Sequence, residues 1–208
     1  MENVFILSHP LIKHKLSIIR DKNTSTKQFK ECLDEIAGLM AYEISKDFDT
    51  VVTEIETPIC KCNVDVLAKD IIIVPILRAG LGMVDGIRNL IPTAKVGHVG
   101  LYRDEETLEP QTYYAKFPKE ITTGTVLLVD PMLATGGSLV AAIDILKKAG
   151  AKEIIYTGLV GAPEGIARVQ AAHPEVKIFL AALDEKLNEK GYIVPGLGDC
   201  GDRIFGTK

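Results

Sequence analysis

The segment Val126-Leu-Leu-Val-Asp-Pro-Met-Leu-Ala-Thr-Gly-Gly-Ser138 decides how the rest of the 208-residue chain is read. It opens with large aliphatic residues and no polar alternation, the pattern of a strand buried on both faces of a sheet. That strand, read over Thr125–Val129, delivers Asp130 at its carboxyl end. Pro131, Met132 and Leu133 lead to Ala134-Thr135-Gly136-Gly137-Ser138, after which Leu139, Ala142, Ile143 and Leu146 recur at helical spacing. Lys147 and Lys148 suit the negative end of that helix, and Gly150 stands where a helix stops. Such a strand, turn and helix N-terminus make an anion cradle. The glycines let backbone N–H groups converge, Thr135 and Ser138 offer hydroxyls, and the helix end adds unpaired donors. A phosphate monoester, with about −1.5 to −2 charge at neutral pH, suits it.

The same grammar repeats on either side. Ile71–Ile76 is a second aliphatic run, followed by Leu77-Arg78-Ala79-Gly80 and a helix over Leu81–Leu90 that Pro92 stops. Strands are expected at Val96–Tyr102, Ile154–Val160 and Val176–Ala182, with a helix opening at Pro163. Strands alternating with helices predict an α/β fold with a mainly parallel sheet and right-handed crossovers. Ligands of such sheets bind at the carboxyl ends of the strands, so the loops there carry the function. Upstream, Ser25 and Gln28 have capping-box spacing. They open a long amphipathic helix over 25–46, with Phe29, Cys32, Leu33, Ile36, Ala37, Met40, Ala41 and Ile44 on one face, enough for the core or for an interface. Thr50–Thr57 reads as a strand. One domain over 1–208 is expected: a helical and strand segment over 1–60, a core sheet over 70–182, and a C-terminal segment over 183–208.

Composition limits the function. With 47% hydrophobic and 25% charged residues the chain is globular, not disordered or fibrous. Lys+Arg 24 against Asp+Glu 28 gives a net charge of −4, no basis for nucleic-acid binding. No apolar run approaches the roughly 20 residues of a membrane span. Glu2 and the short run Val4–Leu7 do not make a signal peptide, so a cytoplasmic protein is expected. Cys32, Cys60, Cys62 and Cys200 lack the spacing of a zinc or redox site and read as reduced thiols; no metal site is expected in the protein alone. No Gly-Lys-Ser/Thr occurs, which argues against a P-loop. Gly196-x-Gly198-x-x-Gly201 has the dinucleotide spacing, but seven residues follow it, too few for a βαβ unit.

The Val126–Ser138 segment resembles the phosphoribosyl diphosphate (PRPP) motif of type I phosphoribosyltransferases. VPILRAGLGMVDG (Val74–Gly86) and YIVPGLGDCGDRIFGT (Tyr192–Thr207) are similar to signatures of the uracil phosphoribosyltransferase family, as is SHPLIKHKLSIIRD (Ser8–Asp21), so the resemblance spans the chain. It implies the type I phosphoribosyltransferase fold, with an N-terminal helical segment and 183–208 as a uracil-binding hood. It implies the reaction of uracil with PRPP to give UMP and diphosphate. The two ends of PRPP need two anion sites. Residues 130–138 (Asp130, Pro131, Met132, Leu133, Ala134, Thr135, Gly136, Gly137, Ser138) would hold the ribose and 5-phosphate, and Arg78 the diphosphate. Arg103, at a strand end before Asp104-Glu105-Glu106-Thr107-Leu108-Glu109-Pro110, would reach the diphosphate from a loop mobile without ligand. The resemblance carries Ile193, Gly198, Asp199 and Cys200 onto the uracil pocket, with Asp199 also facing PRPP. Asp130 and Arg103 would be the catalytic pair. Many relatives in the superfamily place two acids at the strand end; here Pro131 follows Asp130, leaving one carboxylate for the ribose diol.

Asp202 and Arg203 are expected to pair and hold the loop. Cys200 is read as a small pocket residue, not a nucleophile, because no histidine stands near it in sequence. The resemblance also implies Mg²⁺ arriving with PRPP, a homodimer or larger homo-oligomer, and activation by GTP. Two alternatives stay open here: a regulatory protein that senses PRPP or uracil on the same fold, and a purine-type phosphoribosyltransferase.

Overall fold

The aliphatic runs Ile71–Ile76 and Thr125–Val129 lie side by side in the middle of the sheet, flanked by strands on both edges. The computed structural model describes residues 3–103 and 110–207, with Arg103 and Pro110 described through their backbone only. Its elements are β1 (Val4–Ile6), α1 (Pro10–Arg20), α2 (Thr26–Ser45), β2 (Thr50–Glu56), β3 (Lys61–Leu67), β4 (Ile71–Leu77), α3 (Leu81–Leu90), β5 (Lys95–Val96), β6 (His98–Arg103) and β7 (Pro110–Lys116). After a 3-10 turn at Lys119–Thr122 come β8 (Thr125–Val129), β9 (Met132–Leu133), α4 (Gly137–Lys148), β10 (Glu153–Gly161), α5 (Pro163–Ala172), β11 (Lys177–Leu183), β12 (Lys186–Leu187), β13 (Ile193–Val194) and α6 (Cys200–Phe205).

Among the described residues the central sheet runs β1-β11-β10-β8-β4-β6-β7, with β5 beside β4 and β9 beside β10. Every pair in it is parallel except β6–β7. Alternation along each strand divides the core. Ile71 and Ile73 of β4 face the layer of α1, α2 and α3, and Ile72, Val74 and Ile76 face that of α4 and α5. The eight residues read as the apolar stripe of α2 are the eight it buries, so this face serves the core. Ser25 caps α2 through Gln28 N, at 3.3 Å. Gly86 lets α3 approach α2: a Cβ there would stand 2.0 Å from Asp34 O.

Four features depart from the expected layout. β1 joins the central sheet, pairing Val4 with Ile178. Gly97 splits the strand expected at Val96–Tyr102 into β5 and β6. β2 pairs with β3 in an antiparallel hairpin apart from the central sheet. Residues 200–205 form the short helix α6, capped by Asp199 Oδ1, which accepts from Asp202 N at 2.9 Å.

Candidate active site

The chain leaves β4 through α3 toward β6 on one side, whereas β8 leads through α4 to β10 on the other. The crevice between the carboxyl ends of β4 and β8 is therefore a topological switch point, where ligands of open α/β sheets bind. Pro75 and Val129 are paired across it, so Arg78 and Asp130 emerge from neighbouring strand ends.

Asp130 is half-buried. Its main chain is pinned on both sides: its N–H donates to Thr157 O at 3.3 Å, and Tyr156, fully buried, donates its hydroxyl to Asp130 O at 2.7 Å. The carboxyl is pushed up to about 7, chiefly by burial, with the Met132 N–H pulling the other way. Pro131 O accepts from Leu159 N and Val160 N at 2.9 and 3.0 Å, tying the turn to β10.

The turn then forms the cradle. Gly136 has φ +78°, a left-handed conformation that a side chain would strain, and a Cβ there would stand 2.7 Å from Gly165 O. The N-cap of α4 is Gly136, which has no side chain to occupy the first N–H groups of the helix, and this suits them to an anion. With Asp130, Met132, Ala134, Thr135 and Ser138, this turn lines a cleft of about 170 Å³. Leu133 packs its side chain into the core, so it faces the cleft through backbone alone.

The Arg78 loop sits beside it. The Leu77–Arg78 peptide is cis, and Gly80 packs so tightly on β8 that a Cβ would meet Val129 O at 2.4 Å. Arg78 is an exposed guanidinium 3.5 Å from Asp202 and 6.0 Å from the centre of the Phe205 ring. This brings the C-terminal segment to the same crevice. Cys200 is buried, and its thiol is pushed up by burial and by the charges of Asp130 and Asp199. Ile193 is buried, Gly198 and Asp199 are exposed, and Gly198 has φ +82°. Asp199 also lines a second cleft, of about 360 Å³, with Tyr192, Thr24 and Lys22.

Asp202 and Arg203 both fasten the loop to other parts of the chain. Arg203 donates to Ile19 O, Leu197 O and Asp21 O at 2.5, 2.7 and 2.6 Å and stacks on Phe29, while Asp202 faces Arg78 and accepts from the Thr207 hydroxyl. The backbone of Arg103 ends β6, one strand over from β4. Its side chain and the acidic segment 104–109 lie outside the described residues.

Sequence reasoning missed several supports of this site. Asp184 is buried and takes Arg20 in a two-pronged pair at 2.8 and 2.6 Å. The same Asp184 accepts from Gly196 N at 2.8 Å, and Arg20 donates to Gly196 O at 2.7 Å. Together they fix the loop that carries Gly198. Tyr156 gave a usable signal, a phenol in a buried strand whose hydroxyl must find a partner. Arg20 and Asp184, far apart in sequence, gave none. Lys190 and Gly191 line the cradle cleft, delivered by the β12–β13 hairpin.

A family model described as "Uracil phosphoribosyltransferase" matches residues 6–207. The chain is 64% identical over 208 residues to the uracil phosphoribosyltransferase of Acholeplasma laidlawii and 60% identical over 209 residues to that of Geobacillus kaustophilus, covering all of each. Among solved structures, a protein of Aquifex aeolicus superposes with a TM-score of 0.93 at 41% identity, covering 99% of both chains. A hypoxanthine-guanine phosphoribosyltransferase of Bacillus anthracis superposes with a TM-score of 0.55 at 15% identity, over 76% of this chain and 80% of that one, a likeness of fold alone. The crevice between β4 and β8 is thus set in a fold and a sequence shared along nearly the whole chain, which belongs to the uracil phosphoribosyltransferase family.

Proposed function

We propose that the chain transfers the 5-phosphoribosyl group of PRPP to uracil, forming UMP and diphosphate. One observation carries the reading: an open helix N-terminus and an exposed arginine flank a single carboxylate at two neighbouring strand ends. That spacing suits a sugar with a phosphate group at each end. The 134–138 turn takes the 5-phosphate, Arg78 and Arg103 take the diphosphate, and Asp130 faces the ribose hydroxyls. The carbon–oxygen bond to diphosphate breaks as uracil N1 bonds to the same carbon, and N1 loses its proton. Charge on the sugar develops between Asp130 and the departing diphosphate, so positioning and electrostatics supply most of the rate. Uracil lies against the Ile193 and Gly198–Cys200 backbone, read by N–H and C=O groups that suit a neutral planar base.

Mg²⁺ commonly binds through one or two carboxylates plus substrate phosphates. Among the described residues no cluster of three metal-ligating side chains stands ready, and Asp130 at the crevice fits an ion brought by PRPP. Bound there, Mg²⁺ would offset negative charge on the diphosphate. Residues 1–208 act as one domain with 183–208 as hood. A homodimer or larger assembly is supported by the β2–β3 hairpin, which exposes Val51, Val52, Ile55 and Ile59. Four free thiols agree with a reducing, cytoplasmic setting. No helix among the described residues is long and apolar enough to cross a membrane. A regulatory protein acting on RNA would want a basic face, which the net charge of −4 does not favour.

The test is UMP formation by purified protein from uracil, PRPP and Mg²⁺, with and without GTP. UMP that depends on both PRPP and Mg²⁺ is expected, at a rate raised by GTP. No nucleotide product would overturn the reading.

A further inference from the structure

The cradle formed by residues 134–138 itself supplies neutral donors, and the carboxylate near them is Asp130; the Arg168 guanidinium of α5 stands 3.4 Å from where a Cβ on Gly137 would lie, but it does not line the cleft. A phosphate with close to two negative charges favours a cation within the cleft, and the lining provides one. Lys190 and Gly191 close the cleft from the tip of the β12–β13 hairpin, and Lys190 is the one cation among its described lining residues. The tip is a built turn. Asn188 Oδ1 accepts from Lys190 N and from Tyr192 N, both at 3.0 Å, and Gly191 N donates to Asn188 O at 2.9 Å. The base of the hairpin is fixed to α5, where Leu187 N donates to Glu164 Oε1 at 3.0 Å. A Cβ built on Gly191 would stand 3.8 Å from Thr135 Cγ2, so the tip comes within about a methyl group of the cradle. Lys190 is exposed, and its ammonium enters no ion pair among the described residues.

We propose that Lys190 is a phosphate-binding residue, its ammonium reaching the 5-phosphate of both PRPP and UMP from the hairpin tip that lines the cleft. This rests on the reading that the 134–138 turn takes that phosphate. The charge acts where the neutral cradle is weakest, and the flexible stem lets the ammonium follow the phosphate as substrate becomes product. The hairpin thus couples the two halves of the site: Lys190 at its tip serves the phosphate, and Ile193 in β13 serves the base.

The test compares the wild type with Lys190→Ala, Lys190→Gln and Lys190→Arg. Affinities for UMP, uridine and diphosphate are measured by calorimetry, with KM for PRPP. A lost charge-assisted hydrogen bond predicts UMP and PRPP weakened about ten- to a hundredfold in the Ala and Gln variants. Uridine and diphosphate, which lack the 5-phosphate, should bind as in wild type, and Lys190→Arg should recover most of the loss. A merely structural role would move uridine as well. Unchanged UMP affinity in both neutral variants, or a loss confined to diphosphate, would overturn the inference. If the wild-type protein itself binds neither UMP nor PRPP, the functional reading falls and this inference with it. Wild-type binding with indifferent variants overturns only the role of Lys190.

Discussion

Asp130 keeps its proton to about pH 7 in the folded protein because burial disfavours its charge, while an unfolded chain releases it near pH 4. Between those values the folded state binds more protons, so this group makes stability fall as pH rises, and the deficit persists above pH 7. Asp130→Asn removes that cost. The variant should melt higher than wild type at pH 8, and the gap should close as pH falls below 4; thermal melts across pH check it. Activity should move the other way. In the proposed reaction the ionised carboxylate faces the ribose, so kcat/KM for PRPP should rise through about pH 7. Asp130→Asn should lose that limb and about a hundredfold or more in rate. An unchanged rate in a well-folded variant would remove Asp130 from the reacting centre. Cys200 gives the contrasting case: its buried thiol, pushed up in pKa, is a poor nucleophile. Cys200→Ala should retain most activity, and a sugar–enzyme adduct in a mass spectrum would contradict that. Asp130 was legible because a lone acid ends an aliphatic run. Asp184 and Lys190 were not legible, because what matters in each is its place across the fold.

The C-terminal segment is fastened by Arg203 and by Asp184. Asp184 binds Arg20 of α1 with two prongs and the Gly196 N–H with the same carboxylate. Removing it leaves Arg20 with its partner gone and Gly196 N unpaired. Arg20 is partly exposed and keeps Gly196 O, so the loss is mainly the unpaired buried Gly196 N–H, about 1–3 kcal/mol, and Asp184→Ala should lower the melting temperature. Because the loop carries Gly198 and Asp199, KM for uracil should rise more than KM for PRPP. Equal shifts in both would mean that the loop does not bind the base. Elements with strong periodicity were legible: the eight-residue stripe of α2, and the doubly buried β4 and β8. β1 has three residues, too few for a pattern. β3 alternates, but no face of it is buried in the core. α6 begins at a buried cysteine followed by glycine, and only the Asp199 cap announces it.

Across the whole molecule, the parallel sheet and its two helical layers follow from alternating βα segments, but strand order does not. Periodicity records which faces are buried, not which neighbour a crossover reaches, so the switch point between β4 and β8 became visible only in three dimensions. The β2–β3 hairpin stands outside both layers. An isolated two-stranded hairpin is marginally stable in water, and this one exposes Val52 and, at its tip, Ile59, 91% accessible. If this hairpin is the proposed interface, Val52→Asp with Ile59→Asp should shift light-scattering mass toward the monomer; an unchanged mass, or a wild type that is itself monomeric, would contradict that role. The central claim concerns the base that the hood selects. One mixture of uracil, cytosine, hypoxanthine and guanine, with PRPP and Mg²⁺, tests it most directly, the nucleotide products being separated and weighed by mass spectrometry. UMP should dominate, with little nucleotide from the other three bases; inosine or guanosine monophosphate formed at a comparable rate would contradict the account.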